Sequence, residues 1–139
     1  MAGTGAGGVR ERLAEAQGRI RRYSPAEAAD GDMLVVDLRS QDVRERDGII
    51  PRSVHVPLSV LEWRCDQQSG FANPILAGRT LVLVCDHGYS SSLAAERLVN
   101  LGIEAGDLIG GFDAWREAGL PLAAAPPAAS GLPGMGGPQ

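Results

Sequence analysis

The chain reads as an α/β protein with a mainly parallel central sheet flanked by helices on both faces. Met33-Leu34-Val35-Val36-Asp37-Leu38 and Arg79 to Val84 are apolar at successive positions, as strands buried on both faces require. Stretches with helical starts, stops and spacing alternate with the strands, the order that builds parallel sheets. Charged or reactive residues stand where these two strands end, at Asp37-Leu38-Arg39 and at Cys85. That edge is where open α/β sheets bind ligands.

The elements follow in order. Met1 to Gly8 is small and Gly-rich, and is expected to be disordered. Residues 9–19 form an accessory amphipathic helix, with Val9, Leu13, Ala16 and then Ile20 close to helical spacing. The Arg-rich run Arg19 to Arg22 reads as a solvated face, because Glu11 and Glu15 lie nearby. Ile20 to Tyr23 is compatible with a short edge strand. Ser24-Pro25-Ala26-Glu27 starts a short helix: Ser24 caps it, Pro25 suits its first position and Glu27 completes a capping box. Ser40 to Asp47 is charged and helix-compatible, Gly48 to Ser53 is a turn, and Val54 to Pro57 is a short strand closed by proline. Leu58 to Asp66 is a short helix or ordered loop, and Gln67 to Ala77 is loop-like. Ser92 to Leu101 is a helix with Ala94, Leu98 and Leu101 on one face, stopped by Gly102. Asp107 to Ile109 is a third strand. Phe112 to Ala118 is a last helix, ended by Gly119 with Pro121 behind it. The domain therefore spans 20–122. Residues 123–139, rich in Ala, Pro and Gly and without charge, are expected to be a disordered tail.

Composition narrows the function. At 139 residues the chain fits one domain with tails. It is 44% hydrophobic but only 4% aromatic, so the core must be mainly aliphatic. A net charge of −4 argues against a nucleic-acid partner. Every basic residue is Arg, which removes Lys-based Schiff-base chemistry. Cys65 and Cys85 are far apart, and the histidines are His55 and His87, so there is no zinc pattern and no metal or cofactor is expected. No apolar signal-peptide core follows the N-terminus and no stretch is suited to span a membrane, so a cytoplasmic protein with reduced thiols and no membrane partner is expected.

The chemistry concentrates after the second central strand. Leu81 to Val84 runs into Cys85-Asp86-His87-Gly88-Tyr89-Ser90-Ser91-Ser92, and a helical pattern follows. A thiol at this strand end sits in a cup of loop N–H groups at a helix N-terminus, and both features favour negative charge. Cys85 is thus read as a reactive thiolate rather than an inert strand-end cysteine. Gly88 lets the loop curl, and Ser90 and Ser91 can cap the helix and offer hydroxyls to sulfur.

Four blocks now carry a family resemblance: Asp37-x-Arg39; Gly48-Ile49-Ile50-Pro51-x-Ser53; Cys85 to Ser91; and Gly110-Gly111-Phe112-x-Ala114-Trp115-x-x-x-Gly119-x-Pro121. In this order and spacing they resemble a single-domain rhodanese of the small bacterial type, over about residues 20 to 122. The resemblance implies a rhodanese-like fold and a sulfurtransferase. Cys85 would take a sulfane sulfur from a small donor such as thiosulfate or a persulfide. It would carry that sulfur as a persulfide and pass it to a thiol, cyanide or a protein sulfur acceptor. On this reading Asp86, His87, Gly88, Tyr89, Ser90 and Ser91 surround the substrate, and Asp37 and Arg39 support the site. The loop amides from Asp86 to Ser91 supply the donors, and no carboxylate should stand near the sulfur anion.

The loop departs from the family pattern. Ser90 and Asp86 stand where a cation is common, Ile49 where His is common and Arg52 where Gly is. Arg64 is taken as the substitute cation, being always charged and fork-shaped, with a surface ion pair to Glu62 or Asp66 as its alternative. His87 is the second substitute, or simply an exposed loop-tip residue. Trp63 could line the pocket mouth, Trp115 fills the core, and Cys65 is incidental rather than a resolving thiol. Two other functions compete. A cysteine phosphatase needs an Arg where Ser91 stands. A non-catalytic rhodanese-like binding module or passive sulfur carrier has no need of a thiol in such a cup.

Overall fold

The structure is a computed structural model that describes residues 7–139. The start expected to be disordered lies outside the described residues up to residue 6, and Gly8 already opens the first helix. The elements are α1 (Gly8–Arg19), β1 (Arg21–Tyr23), α2 (Pro25–Asp30), β2 (Leu34–Asp37), α3 (Gln41–Asp47) and β3 (Val54–His55). A 3-10 turn at Leu58–Val60 leads into α4 (Leu61–Cys65), and a second lies at Pro74–Leu76. Then come β4 (Leu81–Val84), α5 (Ser90–Asn100), β5 (Ala105–Leu108) and α6 (Gly111–Glu117). The five strands are all parallel, in the order β1-β5-β4-β2-β3.

Local chemistry accounts for the short elements. Ser24 Oγ accepts the Glu27 N–H at 3.1 Å, and Glu27 returns a carboxylate oxygen to the Ser24 N–H at 2.9 Å, so α2 starts on a complete capping box. Ser40 caps α3 by accepting from Val43 N–H. Each central strand is buried on both faces. Leu34, Val36, Leu81 and Leu83 join Ala94, Ala95, Leu98 and Leu61 on one side. Val35, Val82 and Val84 join Ala28, Phe112, Trp115 and Tyr23 on the other. This two-sided core is the physical source of the unbroken apolar runs.

Three expectations need correction. Leu101 does not sit on the buried face of α5: the helix ends one residue earlier, and Leu101 turns outward as its cap. The third strand begins at Ala105, and Ile109 beyond it is exposed. The tail is not free either. Ile49 and Ala123 form an antiparallel bridge with N–O distances of 2.8 and 2.9 Å. Arg64 Nε donates to the Pro133 carbonyl at 2.7 Å. The buried Asn73 amide donates to the carbonyls of Gly134 and Gly136, both at 2.9 Å. Gln139 N–H reaches the Ser53 carbonyl at 2.9 Å, and Arg44 holds the Gln139 side chain. A tail without charge can still be held through its carbonyls by buried donors of the domain, which its own composition does not reveal.

Residue α1 Ala16 is fully buried, and the helix lies on α5. Arg12 and Arg19 both pair with the buried Glu96, the second at 3.5 Å, and Gln17 Nε2 donates to Ser92 Oγ at 3.2 Å.

The tail contacts predict the effect of Arg64→Ala. Losing its charge-assisted bonds to the Pro133 and Phe71 carbonyls (2.7 and 2.8 Å) unties the tail and the loop from α4. Urea unfolding should show a loss of about 2–3 kcal/mol, and limited proteolysis should cut the tail faster than in the parent chain.

Candidate functional site

The site lies at the C-terminal ends of β4 and β2. The chain leaves β2 for β3 in one direction and β4 for β5 in the other, so a crevice opens where the order reverses. Cys85 is the first residue beyond β4 and is partly exposed.

Its sulfur is held from three directions. Gly88 N–H donates to Sγ at 3.2 Å and Ser91 N–H at 3.4 Å, while Ser91 Oγ lies 3.2 Å away as acceptor of the thiol proton. Ser91 is in the first turn of α5, so that turn aims an otherwise unpaired N–H at the sulfur. The loop holds this shape because it rests on the start of α6. Phe112 N–H donates to the Cys85 carbonyl at 2.8 Å, and Asp113 N–H to the Asp86 carbonyl at 3.1 Å. Gly88 (φ +86°) meets Gly110 so closely that a Cβ on it would stand 2.9 Å from the Gly110 nitrogen. A Cβ on Gly111 (φ +64°) would stand 2.5 Å from the Cys85 carbonyl oxygen. Only backbone without side chains fits on either surface.

The remaining loop residues divide. Tyr89 and Ser90 are exposed. His87 is also exposed, with Nδ1 2.7 Å from Asp113 Oδ2, so α6 fixes the orientation of its ring. Asp37 and Arg39 are buried together: Arg39 reaches both Asp37 oxygens at 3.0 and 2.9 Å and the Gly48 carbonyl at 2.8 Å. Arg44 adds a bond to Asp37 at 3.1 Å. The Arg39 guanidinium stacks 3.7 Å above the Phe112 ring, with Nη1 buried and without a hydrogen-bond partner. His55 takes part through Nε2, 2.7 Å from the Arg39 carbonyl; burial pushes its pKa down and favours the neutral ring.

Arg64 is a correction. It is buried and bound to the carbonyls of Phe71 and Pro133, so its fork ties loop and tail together instead of facing Cys85. Trp63 is exposed and meets Phe71 edge-on, with centroids 5.9 Å apart. Cys65 is a buried free thiol whose pKa burial pushes up to about 12, so it stays protonated and unreactive.

A carboxylate does stand behind the thiol, contrary to expectation. Asp107, fully buried on β5, accepts from Ser91 Oγ at 2.8 Å and Ser92 Oγ at 2.7 Å. Arg22 on β1 grips both its oxygens, through Nε at 2.8 Å and Nη2 at 3.2 Å, and donates to the Gly88 carbonyl at 3.2 Å. Sequence reading missed both residues. Arg22 sits in an Arg-rich run that looks solvated; the signal for Asp107 is a lone acidic residue in a short strand whose other residues are small or apolar.

A model of the family described as Rhodanese-like domain matches residues 24–118. Thiosulfate sulfurtransferase GlpE of Vibrio cholerae is 42% identical over 59 residues, which cover 42% of this chain and 50% of that protein. The chain thus spans about half the length of the curated relatives it matches. Among solved structures, a Rhodopseudomonas palustris protein of unknown function, described as a possible tyrosine phosphatase, is 35% identical with a TM-score of 0.78. The match covers 88% of this chain and 98% of that one. A rhodanese homolog from Thermus thermophilus is 34% identical with a TM-score of 0.51, covering 68% of this chain and 99% of that one.

The backbone contact beneath the loop predicts that Gly111→Ala costs at least about 2 kcal/mol, from strain at positive φ plus the clash. The variant should also lose the selective alkylation of Cys85 by iodoacetamide. Parent-like stability and labelling would show that the two backbones are not in the described contact.

Proposed function

This chain belongs to the rhodanese-like domain family, and on that premise we propose that it is a sulfurtransferase working through a Cys85 persulfide. The observation that carries the reading is the pair of N–H groups, from Gly88 and Ser91, that converge on Sγ at 3.2 and 3.4 Å. Such a cup stabilises a sulfur anion in place and needs no rearrangement during transfer.

The chemistry runs in two displacements. The Cys85 thiolate attacks the sulfane sulfur of the donor, the S–S bond of the donor breaks, and sulfite leaves if the donor is thiosulfate. The new persulfide keeps its negative charge on the outer sulfur. A thiolate, cyanide or protein thiol then attacks that outer sulfur, the Cys85 S–S bond breaks, and the Cys85 thiolate returns as leaving group. The loop side chains are hydroxyl, phenol, imidazole and carboxylate rather than guanidinium, and Arg64 is bound elsewhere. These features support donors without an oxyanion group bonded to the sulfane sulfur, such as alkyl persulfides, over thiosulfate, whose sulfonate oxygens call for a cation. The thiols and the absence, among the described residues, of a helix long and apolar enough to cross a membrane are compatible with the expected cytoplasmic setting.

Two other readings are weaker. Phosphoryl transfer from a cysteine loop needs a cation to clasp the phosphate, and Ser91 stands where it would be. A binding module without turnover leaves the converging donors around a partly exposed thiol without a purpose.

The test is mass spectrometry of the protein after exposure to thiosulfate, and separately to glutathione persulfide. A one-sulfur adduct should map to the Cys85 peptide, discharge on addition of cyanide, and vanish in Cys85→Ser. No adduct from any sulfane donor would favour the binding module.

A further inference from the structure

Sulfur transfer by itself gives no reason for a buried carboxylate one hydroxyl away from the nucleophile. Ser91 Oγ is 3.2 Å from Cys85 Sγ and 2.8 Å from Asp107 Oδ2. A serine hydroxyl has a single proton to give. While the thiol is neutral there is no conflict: Ser91 accepts from S–H and donates to Asp107. Once the sulfur is a thiolate or persulfide, Ser91 lies between two anions that both need its proton. A like charge at this range disfavours the sulfur anion.

We propose that Arg22 is a positioning residue of the site, neutralising Asp107 so that the Ser91 hydroxyl can turn from the carboxylate to the sulfur anion. The thiol proton leaves to solvent. Ser91 keeps its own proton and changes only the acceptor, and none passes to Asp107. After the turn, Asp107 keeps the Arg22 nitrogens at 2.8 and 3.2 Å and the Ser92 hydroxyl at 2.7 Å, while the Gly88 carbonyl, 3.1 Å from that same hydroxyl, is served by Arg22. Arg22 also ties down the loop through the Gly88 carbonyl, and so helps aim the Gly88 N–H at sulfur. In this way a cation from the edge strand, beneath the loop instead of within it, offsets charge at the site. Asp37, on the other neighbour of β4, is paired with Arg39 and Arg44. Glu96, further along α5, is paired with Arg12 and Arg19 of α1. Asp86 belongs to the loop, and the rim carries the His87–Asp113 and Arg116–Asp113 pairs.

The proposal rests on Cys85 as the reacting nucleophile, and its test uses no sulfur donor. The alkylation rate of Cys85 by iodoacetamide is measured against pH in the full chain, with peptide mapping to separate Cys65. Arg22→Gln should move the midpoint of the profile up by about one pH unit, which slows alkylation by roughly tenfold on the acid limb of the parent profile. Arg22→Gln combined with Asp107→Asn should restore the parent profile. If the double variant is as slow as Arg22→Gln alone, or if Arg22→Gln is folded by circular dichroism and its profile is unmoved, the proposal is overturned. Should Arg22→Gln fail to fold, Asp107→Asn alone decides: a midpoint moved down supports the proposal, and one unmoved or moved up overturns it. A chain that alkylates in this pattern but takes up no sulfane sulfur would contradict the sulfurtransferase reading and leave the role of Arg22 intact.

Discussion

The contact between the Cys85 loop and the first turn of α6 is the constraint behind the site. Phe112 and Asp113 donate their N–H groups to the Cys85 and Asp86 carbonyls, and bare glycine backbone at Gly88, Gly110 and Gly111 lets the two segments touch. With those carbonyls turned toward α6, the loop is curled so that the Gly88 and Ser91 N–H groups face inward to the sulfur. The Gly110-Gly111 pair is therefore as much part of the sulfur site as the loop it supports.

A second feature is symmetry of charge about the central strand. β4 leads into Cys85, and each of its neighbours carries a buried aspartate held by arginine. On β2 it is Asp37, bound by Arg39 and Arg44; on β5 it is Asp107, bound by Arg22. Buried carboxylates are tolerable only when paired. The arginines anchor more than charge: Arg39 holds the Gly48 turn and covers Phe112, and Arg22 holds the loop. Through Gln17 and Ser92 the same network reaches α1, so the accessory helix braces the start of α5.

Much of this was legible in the sequence. The apolar runs at Leu34 and Leu81, the Ser24 capping box and the cysteine at a strand end are local signals, and local signals survive without knowledge of partners. What could not be read depends on pairing across distance. Arg22 and Arg64 look alike as letters on charged stretches, yet one meets a carboxylate on β5 and the other two carbonyls in a loop and a tail. Asp107 looks like an ordinary strand residue until α5 is packed over it. The tail looks structureless because its partners, Asn73, Arg64 and Arg44, lie far away along the chain.

The central claim is that Cys85 carries sulfur in a cup of amides and hydroxyls without a loop cation. The most direct measurement is single-turnover loading of Cys85 by glutathione persulfide, thiosulfate and mercaptopyruvate at equal concentration, followed by rapid quench. The account predicts fastest loading from the persulfide, with thiosulfate slow and only weakly saturating. Fast, tightly saturating loading from thiosulfate would contradict it, because that would require a cation at the sulfur which these residues do not place there.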